Sequence, residues 1–401
     1  MADGESVTIK VVDSVASVDK ESWNNVANPV SEATSGFDYN PFLKYEFFDC
    51  LERSHSAVRE TGWMPQHLVM ESEKSGEVIG ILPCYLKNHS QGEYVFDHGW
   101  ADAFERAGGD YYPKLQCAVP FTPATGRRLL VGNGPKANDR RLMLAGGLQE
   151  VCSRLEVSSA HITFLDTKEA NLLTDHGFLS RSDQQFHWLN DGYESFDDFL
   201  AQLASRKRKN IRKEREAAMH DNGITIEWPT GADLNEDIWD VFFGFYTDTG
   251  ARKWGQPYLT RKFFSLIGET MAEDILLVMA KRNGRYVAGA INFIGSHTLY
   301  GRNWGCVEDH PFLHFEVCYY QAIDYAIANK LARVEAGAQG GHKLARGYMP
   351  QIKHSAHYIT HPGFRDAVAH YLENERKAVE RETELIARHG PFKKSNEDAK
   401  R

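Results

Sequence analysis

The stretch 299–350 carries more side chains suited to group-transfer chemistry than any other part of the chain. Glu316 and His314 lie at the start of a segment whose apolar residues recur every three or four positions, and Glu335 lies in a short apolar run after it. A carboxylate or an imidazole there could take the proton from an amine that attacks an acyl carbon, a step typically worth roughly 10²–10⁴-fold in rate. Glu316, His314 and Glu335 are therefore the candidate catalytic residues.

Each candidate also has a structural interpretation. His314 could cap or pack the start of a helix, and Glu316 could be a first-turn carboxylate that interacts with the helix dipole. Glu335 needs a partner wherever it is buried, because a lone buried carboxylate is very unfavourable. Three cations of the same stretch could be that partner: Arg302, Lys343 and Arg346. Such a pair could be structural or could hold substrate.

The polar segment 336–348 is not explained by core packing. Gly340 and Gly341 precede a histidine and two cations, which could clamp an anionic group or orient an acyl acceptor. Aromatic residues in both halves of the chain could wall a cleft or fill a core. The predicted substrate-binding residues are Arg302, Trp304, Gln339, His342, Lys343, Arg346 and Tyr348, with Tyr112 and Lys114 from the first half.

A strand, a helix and a second strand are predicted to position these side chains. Residues 315–329 have the apolar spacing of an amphipathic helix. An alternating segment, 298–305, precedes this helix, and a short strand-like segment, 333–336, follows it. In open α/β sheets, ligands usually bind where strand ends meet helix starts, so we expect the site there.

A basic segment near the start of the second half contrasts with the net charge of −9. On a helix these cations would cover much of the circumference, so some must face solvent. They could bind the phosphates of a tRNA or a nucleotide-linked substrate, or form a solvated face partly neutralised by Glu214 and Glu216. The predicted phosphate-binding residues are Arg206, Lys207, Arg208, Lys209, Arg212 and Lys213.

The length of 401 residues predicts two domains, 1–190 and 191–401. A net charge of −9 argues against a general polyanion binder. The six cysteines lack the spacing of a zinc site, so we expect buried thiols and no metal. The expected compartment is the reducing cytoplasm, or an organelle lumen if a targeting peptide has been removed. The chain has no run of about 18 apolar residues, so we expect no membrane span.

The two halves share a pattern over residues 68–102 and 277–308. Each has a strand, a polar turn, a strand with one interior glycine (Gly80 or Gly289), another turn and an aromatic strand. A repeat of this size indicates duplicated domains rather than a solenoid, although two antiparallel meanders could also look alike. The segment after residue 361 is predicted to be a long charged helix.

This order of elements resembles the GNAT N-acyltransferase fold, and two copies resemble the Fem-type peptidoglycan-bridge aminoacyltransferases, whose second copy also follows a basic segment. More closely, five segments look like the FemAB-like family described as peptidoglycan biosynthesis/recognition, over about residues 40–384. They are FDHGWADAFERAGGDYYPKLQCAVPFTP, LASRKRKNIRKERE, YGRNWGC, LHFEVCYYQAIDYAI and EAGAQGGHKLARGYMP. The resemblance implies an α/β (α+β) fold of two tandem GNAT-like domains with mixed central sheets and a long C-terminal helix.

The resemblance also implies an N-acyltransferase in which an amine attacks an activated acyl or aminoacyl ester directly. Backbone N–H groups near 301–305 would stabilise the oxyanion. No tightly bound cofactor is expected; the co-substrate would be an acyl-CoA or an aminoacyl-tRNA, and the acceptor a small-molecule or peptide amine. The glycine turn that holds CoA in GNAT enzymes does not follow residue 308, which disfavours CoA. The alternatives are an acetyl-CoA-dependent small-amine acetyltransferase and a non-catalytic protein that binds RNA or a nucleotide-linked ligand.

Overall fold

The computed structural model of the chain describes residues 6–29, 38–220, 222–253, 257–337 and 340–393, with the backbone alone at 249–253. The chain divides into two compact units. The first comprises Met1–Asp183, Tyr258–Phe263 and Ile352–Glu380, and the second comprises Gln184–Pro257, Phe264–Gln351 and Arg381–Arg401.

Strands and helices are interspersed along the chain, in agreement with the predicted α/β (α+β) class. The strands are β1 (Val7–Val12), β2 (Trp63–Pro65), β3 (His67–Ser72), β4 (Val78–Leu82), β5 (Tyr85–Lys87), β6 (Lys114–Cys117), β7 (Leu130–Val131), β8 (Ser159–Leu165), β9 (Leu179–Leu189), β10 (Ile224–Glu227), β11 (Ile275–Arg282), β12 (Arg285–Ile294), β13 (Thr298–Cys306), β14 (Arg333–Glu335) and β15 (Met349–Ile359). The helices are α1 (Lys20–Ala27), α2 (Tyr45–Arg53), α3 (His98–Arg106), α4 (Ala137–Arg154), α5 (Thr167–Thr174), α6 (Phe196–Gln202), α7 (Ser205–Met219), α8 (Glu236–Lys253), α9 (Arg261–Thr270), α10 (Leu313–Phe315, a π-helical turn Glu316–Tyr320, and Gln321–Ala328) and α11 (Pro362–Arg388).

The first unit contains a four-stranded antiparallel sheet in the order β1-β3-β4-β7. A second group of its strands joins β2, β5 and β6 in antiparallel pairs, places β6 parallel to β8, and pairs β8 with β15. Parallel neighbours need a crossover, and α4 lies between β6 and β8 in the chain. Apolar residues of α4, such as Leu144 and Leu148, join Leu68, Leu82 and Ile162 in the core of this unit.

The second unit repeats the scheme. Its strands β10 to β13 form an antiparallel meander, β13 is parallel to β14, and β14 pairs with the end of β9. The crossover between β13 and β14 is α10, whose Val317, Ile323 and Ala326 pack in one core with Leu299 and Val334 of these strands. The apolar period of this segment therefore predicted both the helix and its buried face correctly.

The predicted meander β11 to β13 and the predicted long helix α11 are also confirmed. Residues 196–216 do not form one continuous helix, because Leu203 and Ala204 are extended (ψ 151° and 141°). The N–H of Ala204 donates to the Pro391 carbonyl (2.9 Å), and Leu203 bridges Phe392. Backbone bonds to this C-terminal segment replace the helical ones and separate α6 from α7.

The predicted strand at 93–97 is also wrong. These residues are irregular, the following residues form α3, and the strand of this region is β6. The cause is electrostatic, since Glu93 and Asp97 are buried against the ammonium group of Lys114 instead of alternating along a sheet. The aromatic third strand of the proposed repeat is therefore present only in the second half.

The six cysteines form no disulfide, and four of them are buried. Across the described residues, none of the helices combines the length and the apolar character that crossing a membrane requires. The same residues contain no group of three or more histidine, cysteine, aspartate or glutamate side chains arranged to hold a metal ion.

Candidate functional site

The candidate site lies in the second unit, where the pairing of β13 with β14 ends. The two strands are joined only between 298–300 and 333–335. Beyond Glu335, β14 stops, whereas β13 continues to Cys306. Two parallel strands that pair over three residues and then part leave a gap at their carboxyl ends, which is the usual place for a ligand in a sheet of this kind.

A bulge in β13 lies beside this gap. Ala290 of β12 faces Trp304, but Asn292, two residues later, faces Gly301, so one residue of β12 opposes two of β13. A bulge of this kind re-aims the side chains that follow it. As a result Trp304 packs on the same core as Leu299, although the two are separated by an odd number of residues.

Aromatic rings cluster at the start of α10, beside Trp304. The ring of His314 lies 5.1 Å from that of Trp304, 5.4 Å from Tyr319 and 6.0 Å from His342. Phe315 lies 5.6 Å from His342. The structure thus brings together His314, Trp304 and His342, three of the residues predicted from sequence.

Tyr319 was missed by the sequence reasoning, although it is central to this cluster. Its hydroxyl lies 2.9 Å from Nε2 of the exposed His342. Burial raises the pKa of Tyr319, which keeps the hydroxyl protonated. In the tautomer with its proton on Nε2, His342 donates to this hydroxyl and Nδ1 is the proton acceptor. A hydrogen bond of this kind fixes the orientation of an imidazole.

Lys343 is buried behind His342. Its Nζ donates to the carbonyls of Ala336 (2.6 Å) and Gly337 (3.1 Å), the residues that follow β14. Burial, assisted by the nearby charge of Arg302, lowers the pKa of Lys343 to about 8. This lysine therefore ties the segment Gly341–Arg346 to the end of β14 and holds His342 at the gap.

A pH dependence of stability follows from Lys343. Between about pH 8 and pH 10 the unfolded state binds a proton on this lysine that the folded state has lost, so stability should rise with pH in this window. Lys343→Met removes the titrating group, and the difference in unfolding free energy between wild type and variant should change by about 2 kcal/mol across the window. Urea unfolding of both proteins at pH 8 and pH 10 measures this; a constant difference would contradict it.

Glu316 is fully buried, and both oxygens of its carboxylate accept hydrogen bonds from neighbouring side chains. Arg215 donates to Oε1 (2.8 Å) and Oε2 (3.1 Å), Gln321 donates to Oε1 (2.7 Å), and Arg215 also binds Asp324 (2.6 Å). Burial raises the pKa of Glu316, and the guanidinium of Arg215 opposes that rise. This geometry fits the structural interpretation of Glu316 as a member of an ion-pair network.

Glu335 is buried at the end of β14. Its carboxylate lies 3.7 Å from Nδ1 of His187 and 3.8 Å from Nε of Arg333, both outside the set of cations considered from sequence. The adjacent Val334 packs under α10, so Glu335 lies on the opposite face of the sheet from the aromatic cluster. The structure therefore separates Glu335 from His314 and His342.

Arg346 and Tyr348 contact residues of the aromatic cluster and help to hold them in position. Arg346 lies 3.3 Å from the ring of Phe315, donates to the carbonyl of His342 (2.8 Å) and binds Glu214 (2.9 Å). The buried hydroxyl of Tyr348 donates to the carbonyl of Tyr319 (3.1 Å). Both side chains hold the elements that carry Tyr319 and His342. Gln339 lies outside the described residues.

Tyr112 and Lys114 belong to the first unit. Lys114 is completely buried, and its three N–H groups donate to Ser90 (2.8 Å), Glu93 (2.7 Å) and Asp97. Tyr112 shares a hydrogen bond with Ser90 (2.8 Å). Because all donors of Lys114 have partners, this lysine has none to offer to a substrate.

The basic helix α7 has two faces. Ile211 and Ala218 are buried, and Arg215 on the same side binds Glu316. The exposed cations are Arg206, Lys209, Arg212 and Lys213, whereas Lys207 and Arg208 are half-buried. Arg212 pairs with the exposed Asp197 (2.8 Å). The helical period, with Arg215 four residues after Ile211, was the signal that could have assigned Arg215 to the inner face.

Comparisons with known proteins show the family and the fold. The model of the FemAB-like family, described as peptidoglycan biosynthesis/recognition, matches residues 14–394. No curated protein matches the chain in sequence. Its structure is similar to that of FemX (TM-score 0.50, 13% identity, 79% of this chain and 93% of that chain). A second similar structure is the C-terminal domain of an Agrobacterium fabrum protein named as a lysylphosphatidylglycerol synthetase (0.50, 11%, 90% and 97%).

A conserved protein of unknown function from Bacteroides thetaiotaomicron is equally similar (TM-score 0.51, 12% identity, 88% of this chain and 100% of that chain). Likeness at such low identity shows the fold alone, and it confirms the predicted class of two tandem GNAT-like domains with a long C-terminal helix. The family match covers nearly the whole chain, including the gap after β14 and the basic helix. The chain belongs to the FemAB-like family.

Proposed function

We propose that the chain is an acyltransferase that moves an aminoacyl or acyl group from an activated ester to an amine. The observation that carries this proposal is the gap where β13 leaves β14, with a bulge on one side and the His342–Tyr319 pair on the other. A gap between parallel strands can admit an ester carbonyl to the backbone of a bulged strand, where N–H groups can stabilise an oxyanion. The imidazole at its edge supplies the acid–base group.

The amine nitrogen would attack the ester carbonyl carbon, and Nδ1 of His342 would take the proton that the amine loses. Collapse of the tetrahedral intermediate breaks the bond to the ester oxygen, and the imidazolium returns the proton to this leaving group. Tyr319 holds the imidazole, and Lys343 holds the segment that carries it. No covalent intermediate is needed, so Cys306 and Cys318 have no role in this scheme.

The exposed cations of α7 favour a phosphate-rich donor, for which we propose aminoacyl-tRNA. Three of them, Arg206, Lys209 and Lys213, lie on one side of the helix, and none forms an ion pair with the described residues. A CoA donor is less well supported, since α10 begins after Phe312 without the glycine turn that binds pyrophosphate. The family description suggests a peptidoglycan precursor amine as the acceptor.

A second candidate function is binding of RNA without catalysis, favoured by the same cations. The two functions differ in one respect: a binder should not distinguish aminoacylated from deacylated tRNA. An acetyl-CoA-dependent acetyltransferase, the third candidate, should instead be stabilised against heat by CoA.

Neutralising the outer face of α7 separates these candidates. The variant Arg206→Gln/Lys209→Gln/Lys213→Gln should bind tRNA more weakly, and the slope of log affinity against log salt should fall by about one for each lost phosphate contact. The measurement is filter binding of aminoacylated and deacylated tRNA from low to physiological salt, together with transfer of a labelled aminoacyl group to amine acceptors.

The matched control is Lys377→Gln/Arg381→Gln/Arg388→Gln, which makes the same change in net charge on the exposed side of α11. Equal effects of both variants would contradict a specific role for α7. Binding without preference for the aminoacylated form and without transfer would favour the RNA-binding candidate.

A further inference from the structure

The first unit contains a cavity of about 650 Å³ that plays no part in the proposed transfer site. It lies between α3 and the first half of α11, both in the first unit. Small residues along these helices leave the space open: Gly99, Ala103, Ala107, Gly363 and Ala367. Its apolar walls are Trp100, Phe104, Phe364, Val368 and Tyr371. Pockets of roughly 300–1,000 Å³ are the size that holds small ligands in proteins.

The walls of this cavity are held in place by contacts with one another and with buried groups outside it. The ring of Trp100 lies 5.0 Å from that of the buried His357 and 5.0 Å from the guanidinium of Arg181. Phe104 stacks on Phe364 at 4.4 Å. Asp97, directly before α3, binds the buried Lys114. A cavity with such fixed walls does not have to be reorganised to accept a ligand.

Arg181, which is paired with Glu375 outside the lining, is the charged side chain of this cavity. Its lining includes Arg181 and His361 but no aspartate or glutamate. Arg181 donates to Glu375 (2.9 and 2.8 Å) and to the carbonyl of Phe96 (2.8 Å), which uses three of the five N–H groups of a guanidinium. The remaining two can donate to an anionic group, and the partly exposed rim there suits a charged head.

The shape selects a linear ligand. The lining residues run over eight positions on each helix, from Gly99 to Ala107 and from Gly363 to Tyr371, which corresponds to about 12 Å at the rise of an α-helix. An extended peptide in such an apolar space would leave its backbone N–H and C=O groups without partners. A hydrocarbon chain has no such groups to satisfy.

We propose that this cavity binds a fatty-acyl anion, with the acyl chain between α3 and α11 and the carboxylate at Arg181. The site is independent of the transfer reaction proposed above, and a failure of either proposal leaves the other untouched. It gives the first unit a ligand-binding role of its own.

Calorimetric titration of the full-length protein with hexanoate, octanoate, decanoate and dodecanoate tests the proposal. Affinity should rise about fourfold with each added methylene until the cavity is filled, after which it should level off. Decyltrimethylammonium, which has a comparable chain and a cationic head, should bind at least tenfold more weakly than decanoate. No binding by any of the acids, no dependence on chain length, or equal affinity for the cation would overturn the proposal.

Gly99→Leu supplies a variant that fills the cavity while remaining compatible with the fold. A Cβ at Gly99 would meet no atom within 4 Å, and leucine is a better helix former than glycine. Decanoate affinity should fall at least tenfold in this variant. The matched control is Gly146→Leu in α4, also a helical glycine with open space beside it, whose affinity should be unchanged. Unchanged binding in Gly99→Leu would place the ligand elsewhere and refute the assignment.

Discussion

Arg215→Met should destabilise the second unit by about 3–5 kcal/mol, because removing one partner of a buried ion pair leaves an uncompensated charge. Glu316 has no exposed surface, and Arg215 supplies two of the three hydrogen bonds that reach its carboxylate. Asp324 would lose its partner as well. Methionine retains the aliphatic length of arginine, so the loss of charge rather than of volume dominates. The measurement is urea-induced unfolding of the full-length protein at neutral pH.

Two further variants test the cause of this effect. In Arg215→Met/Glu316→Leu the stranded carboxylate is gone, so much of the lost stability should return. Arg212→Met on the same helix removes an exposed arginine whose pair with Asp197 faces solvent, and it should change stability little. A double variant as unstable as Arg215→Met would show that the ion pair is not the source of the effect.

A further variant, Glu316→Gln, tests the catalytic hypothesis for Glu316. A structural carboxylate predicts that the effects of Glu316→Gln appear in stability and that transfer per folded molecule is retained. A general base predicts the opposite: a folded and stable protein without turnover.

Apolar periodicity correctly predicted the helix whose buried face produces that pattern, but it did not reveal the other features of the site. The spacing of Val317, Ile323 and Ala326 correctly indicated α10 and the face it buries, since the packing of these residues is the cause of their spacing. The π-helical turn Glu316–Tyr320 left no such trace, because it shifts the backbone hydrogen bonds without changing which residues are apolar. From the sequence alone, Tyr319 therefore looks like one more aromatic residue of the core, although the turn places its hydroxyl beside His342.

The burial and the partners of charged residues were harder to predict from the sequence than the helices were. Lys114 looks in the sequence like a surface or site residue, and only tertiary structure shows that Glu93 and Asp97 enclose it. Segment 93–97 was predicted as a strand because Tyr94, Val95 and Phe96 are residue types that favour strands. Long-range ion pairing overrode that local preference, and no local pattern encodes which cation an acid will meet.

The transfer site itself is best tested at His342. His342→Gln should lower the rate of aminoacyl transfer by about 10²–10⁴-fold, the usual contribution of a general acid–base group, with little change in donor affinity. The ring is exposed and is not part of the buried core, so the fold should be retained. Initial rates with saturating donor, together with donor affinity measured separately, distinguish a loss of chemistry from a loss of binding.

Tyr319→Phe distinguishes a catalytic His342 from a merely structural one. Removing the hydroxyl takes away the hydrogen-bond partner that orients the imidazole, so the pH–rate profile of this variant should shift while the protein stays folded. Glu335→Gln tests the other candidate base, which lies on the opposite face of the sheet. If Glu335 rather than His342 takes the amine proton, Glu335→Gln should abolish transfer and His342→Gln should not. Retention of full activity in His342→Gln would remove the imidazole from the mechanism and leave Glu335 as the base to examine, because Glu335 also lies where β13 and β14 part.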